Sequence, residues 1–111
     1  MSLPTTTTFS FDGYRIKEYK GVVRGIIVRS PTIAQGILGG LNNIIGGSIP
    51  AYTEMCEQAR GHAYQLLIEH AQQMGANAVV GVRYDAAEVV ARAGATEVLC
   101  YGTAVVIEAI K

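Results

Sequence analysis

The chain has 111 residues, nine of them basic and nine acidic, with half of all residues apolar and only 16% charged. That length supports one domain with a modest core, the balanced charge without like-charge runs excludes the footprint of a nucleic-acid binder, and no apolar run approaches the ~20 residues that cross a bilayer. An ordinary soluble domain carries about 25% charged residues, so with a mean hydropathy of +0.26 the surplus apolar surface is assigned to contacts between copies.

Met1 to Ser10 has neither the basic start nor the apolar stretch of a secretory signal, which points to the cytoplasm. Residues 1–8 are expected to lie outside the ordered domain, as a disordered or appended tail. Thr5 to Phe11 is nevertheless rich in β-branched and aromatic residues, and Asp12-Gly13 supplies a turn, so a short strand leads into a hairpin or bend. Tyr14 to Val28 favours extended structure, with Gly21 and Gly25 marking bends or bulges.

Ser30-Pro31 reads as cap and first residue of a helix whose apolar stripe is Ile33, Ile37, Leu38, Leu41, Ile44 and Ile45. Gly46-Gly47-Ser48 breaks it. The principal helix then runs from about Ala51 to Met74, before Gly75 offers a left-handed C-terminal cap. On a helical wheel Tyr52, Cys56, Ala59, Ala63, Leu66, Leu67, His70 and Met74 form the stripe that faces a sheet. Tyr64 and Ile68 stand one turn apart near Gly61, a second contact patch.

Ala78 to Tyr84 and Glu97 to Ile110 read as a hairpin joined by Asp85 to Thr96, with its turn at Arg92-Ala93-Gly94-Ala95. In the last strand both alternating sets are apolar: Leu99, Tyr101, Val105 and Ile107 against Val98, Cys100, Ala104 and Val106. The chain's own helix covers one face, so the other is expected to meet a neighbouring subunit. The order strand, helices, strand, strand gives an α+β class.

Three segments then match a known pattern: Tyr19-x-Gly21-Val22-Val23-x-Gly25, Gly46-Gly47-x4-Tyr52, and Gly75-Ala76-Asn77-Ala78-Val79-Val80-Gly81-Val82. With Gly102-Thr103-Ala104-Val105 at the end, the chain resembles the YbjQ family of uncharacterised bacterial proteins from about Phe9 onward. The resemblance implies a dodecin-like β-α-β-β subunit, an antiparallel sheet packed on one long helix, assembling into a homopentamer. It also implies a divalent or heavy metal ion as the cofactor to look for.

A soft-metal site needs three or four converging thiolates or imidazoles. Cys56, His62 and Cys100 are the candidate ligands, since His70, about 21 Å of helical rise from Cys56, belongs to the core or an interface. The two cysteines show neither a CxxC spacing nor a disulfide framework. Gly46, Gly47 and Ser48 before a helix could offer amides to an anion, although no GK[ST] ending follows. Ser10, Ser30 and Ser48 lack a nucleophile context, so no catalytic residue is named. Gly61, Tyr64, Ile68, Leu99, Tyr101, Val105 and Ile107 are the expected oligomer interface. The reading is an oligomeric binding or scaffold protein, with a pure interaction module and a small intersubunit enzyme as alternatives.

Overall fold

The structure is a computed structural model that describes residues 3–29, 49–90 and 95–111, with only the main chain at 49, 51, 52 and 90. The helix expected after Ser30-Pro31, the Gly46-Gly47-Ser48 turn and most of the expected Arg92-Ala93-Gly94-Ala95 turn lie outside the described residues. Within them the order is β1 (Tyr14–Arg29), α1 (Ile49–Gln73), β2 (Ala78–Val90) and β3 (Ala95–Ala109). The sheet is antiparallel with β3 between β1 and β2.

The hairpin is longer than the sequence suggests, because Asp85 to Glu88 pair with Leu99 to Thr96 and not with solvent. Asp, Ala and Glu are poor strand formers on their own, and pairing with β3 overrides that preference. Gly21 sits at a register shift with φ 121°, as a bulge requires, and Gly81 does the same in β2 with φ 64°. Gly25 has a different task. A Cβ there would overlap the Ala63 carbonyl and stand 2.6 Å from the Leu67 amide nitrogen. The glycine lets α1 lie directly on β1.

α1 ends in a Schellman motif: Ala76 N–H donates to Ala71 O at 3.1 Å and Gly75 N–H to Gln72 O at 3.0 Å, with Gly75 at φ 79°. Asn77 then latches the helix end to β3. Its side-chain amide donates to Ile107 O at 3.0 Å, its oxygen accepts from Ile107 N–H at 2.8 Å, and its own N–H donates to Val105 O at 3.0 Å.

The main core lies between α1 and the sheet, where Ala59, Ala63, Leu67 and Ala71 meet Val23, Val79, Val82, Val98, Cys100 and Ala104. Three alanines on one face, at positions 59, 63 and 71, keep the helix close to the strands. Packing begins at Ala59, so Cys56, one turn earlier and expected on the buried stripe, is exposed.

Residues 3–8, expected outside the domain, are part of it. Val79 N–H donates to Pro4 O, Thr6 N–H to Val79 O, Val82 N–H to Thr6 O and Gly81 N–H to Thr8 O. This strap runs parallel to the first half of β2 and not as a hairpin with β1, because the β2 edge supplies unpaired amides there. It carries Phe11 onto the sheet's second face, over Ala78, Val80, Val105, Ile16 and Ile107.

Candidate functional site

Where the strap, α1 and the hairpin meet, five side chains form one polar cluster. Thr5 Oγ1 and Tyr64 Oη are hydrogen-bonded at 2.9 Å. The Arg60 guanidinium lies 5.4 Å from the centre of the Tyr84 ring, a cation–π distance. Tyr84 stands directly across the hairpin from Cys100.

Burial above all, then Cys100 and Tyr64, push the Tyr84 phenol from 10.0 up to about 12, while Arg60 works the other way. Burial raises the Cys100 thiol, and Tyr84 across the hairpin opposes that shift. Both groups are therefore held neutral. A thiol that is fully buried and resists ionisation is a core residue, not a nucleophile or a ready soft-metal ligand. Sequence reasoning missed this cluster, since only the β2–β3 register brings Tyr84 to Cys100.

The expected metal ligands do not converge. Cys100 is buried in the main core, Cys56 is exposed on the early turns of α1 and His62 is exposed on the same helix. Among the described residues no three His, Cys, Asp or Glu side chains gather to hold an ion. The donors of one protomer thus do not fit a heavy-metal site. Gly46, Gly47 and Ser48 lie outside the described residues. His70 is engaged elsewhere: its Nδ1 accepts the Arg24 main-chain N–H at 3.1 Å.

Four expected interface residues lie deeper in the protomer than foreseen. Ile68 and Val105 are 1% and 0% exposed within the protomer itself. Phe11 and its companions cover Val105, and Ile107 packs with them, half-buried. Tyr64 packs against the main core and is tied to the strap. Gly61 is exposed, and a methyl group in place of its hydrogen would meet nothing within 4 Å. Leu99 is half-buried and Tyr101 37% exposed. The second face is therefore closed at its Phe11 end and open at the other.

Among the described residues no helix is long and apolar enough to cross a membrane. The profile of a family described as "Putative heavy-metal-binding" matches residues 3–108. A UPF0145 protein of Legionella pneumophila is 60% identical over 107 residues, which is 96% of this chain and all of that protein. One from Francisella philomiragia is 57% identical over 102 residues, 92% of this chain and 96% of its own length. A crystal structure of a protein of unknown function of the DUF74 family, from Pediococcus pentosaceus, has the same fold, with a TM-score of 0.65 at 24% identity, covering 96% of this chain and 98% of that one. Matched over nearly its whole length and closely related to proteins of that name, the chain belongs to the YbjQ family, the UPF0145 proteins.

Proposed function

We propose that this chain is a self-assembling binding or scaffold protein, a dodecin-like β-α-β-β subunit that closes into a ring of five, with any metal ion or small ligand held between copies. The supporting observation is the open half of the sheet's second face. Val22, Ile26, Val28 and Tyr101 are 67, 45, 59 and 37% exposed, and Ile26 stands directly across from Leu99. Arg24 across from Tyr101 and Glu97 across from Val28 share this face, and exposed apolar side chains bordered by a few charged ones mark a contact surface in a chain with only 16% charged residues. A single protomer gathers no ligand set among its described residues, so a metal site is completed by repetition of exposed donors such as Cys56 and His62 around a symmetry axis.

Native mass spectrometry at low micromolar concentration tests both parts at once. Five copies, with metal retained per ring, is the expected result. A stable monomer rejects the assembly. Metal bound one per isolated protomer rejects the shared site, and a metal-free ring that takes up no added zinc or copper favours a pure scaffold role.

A further inference from the structure

Both outer strands leave part of their edge uncovered by any other described strand, and the two edges differ in charge. β1 carries Lys17, Arg24 and Arg29 in addition to Arg15 and Lys20, which are ion-paired with Glu108 and Glu18. The stretch of β2 beyond the strap, from Tyr84 to Val90, carries Asp85 and Glu88 and no basic residue. We infer that this open half of the β2 edge is where a second copy of this chain docks the edge of its β1. The inference rests on the self-assembly reading and adds which strands meet.

The hydrogen bonds say which amides face outward. On β2, Val82 N–H donates to the strap, and alternation from there turns Tyr84, Ala86 and Glu88 outward. Ala86 N–H fits this pattern: it donates to the Asp85 carboxylate at 2.9 Å and not to β3. On β1, Arg24 N–H donates to His70, so Val22, Ile26 and Val28 share its outward direction. The strap already demonstrates that the β2 edge accepts a strand, pairing as far as Gly81 and Val82. From Arg83 to Val89 every residue is exposed.

Charge selects the pairing. Two β1 edges would bring basic residues together and two β2 edges acidic ones, whereas β1 against β2 opposes the signs. That contact is head-to-tail, using one edge of each kind per copy, and such contacts close into a ring where the rotation between copies closes and run on as a filament where it does not. It also prolongs the open half of the second face from one copy to the next.

The test uses two edge-blocking variants, Ala86→Pro and Val28→Pro. Each removes an outward amide and no ladder bond to β3. By native mass spectrometry each alone is expected to be monomeric. Mixed in equal amounts they are expected to form a heterodimer and nothing larger, because each retains the edge that the other lacks. Either variant assembling like the parent chain, or a mixture that stays monomeric, overturns the inference.

A charge-reversed pair, Asp85→Lys with Glu88→Lys and Arg24→Glu with Arg29→Glu, keeps every amide and decides the matter if proline disturbs folding. Each alone should assemble at least tenfold more weakly at low salt, and mixing should restore oligomers containing both; no rescue on mixing overturns the edge assignment. A monomeric parent chain would instead remove the self-assembly reading itself, so the two failures are distinguishable.

Discussion

Two glycines of similar appearance in the sequence have opposite energetics in the fold. At Gly25 a methyl group would overlap the Ala63 carbonyl and crowd Leu67 N, both main-chain atoms that cannot rotate away. Gly25→Ala is therefore expected to cost about 1–3 kcal/mol or more, the range for overpacking. Gly61 has open space and an ordinary helical φ, so Gly61→Ala is expected to stabilise by about 0.5–1 kcal/mol through helix propensity. Urea unfolding of both variants measures the difference, and equal effects would contradict the close helix–strand packing. The sequence marks Gly25 as a bend or bulge and Gly61 as part of a contact patch, and only the seating of α1 on β1 separates the two.

Tyr84 and Cys100 set an alkaline limit at the same scale. Both are raised in the folded chain, so the fold favours their protonated forms. The stabilisation this gives is fully present below the ordinary 9.0 of the thiol and 10.0 of the phenol, and is lost as pH rises toward about 12. The melting temperature of the parent chain should fall across that window beyond the general alkaline decline. Tyr84→Phe, which cannot ionise, should flatten the upper part of the fall; an unchanged profile would reject the coupling.

Among the elements, the strap was the least legible. Its β-branched residues suggested a strand, but which edge it joins depends on β2, about 70 positions further along the chain. Its two phenylalanines separate packing from mere contact. Phe11 covers Ala78, Val80 and Val105, whereas Phe9 is 72% exposed although it lies against Gly81. Phe11→Ala is expected to cost about 2 kcal/mol, below the value for a fully buried phenylalanine because it is only half-buried. Phe9→Ala should cost under about 1 kcal/mol. Thermal unfolding of the two variants checks the order, and a reversal would place the strap wrongly. The helix end was legible in advance, since only a few cap motifs use Gly at that position.

At the scale of the molecule, the proportions decide what one copy can cover. β1 at 16 residues is about 50 Å long at ~3.3 Å per residue. The part of α1 that packs, from Ala59 to Ala71, spans only about 18 Å at ~1.5 Å per residue. If further copies cover the remainder, folding and assembly are linked, and the melting temperature should rise with protein concentration. Scanning calorimetry over a roughly hundredfold dilution measures this; a constant value in an associating chain would separate assembly from stability.

Local periodicity and turn chemistry were enough to read the α+β class, the helix with its glycine stop, the strand-rich ends and the family directly from the order of residues. They were not enough to say which face of β3 meets the helix, that Ile68 and Val105 are core, or that Cys56, His62 and Cys100 stay apart. Those outcomes depend on register and on the depth at which one element seats against another. A residue's neighbours across a sheet are set by pairing between distant segments, and no spacing along the chain encodes that distance.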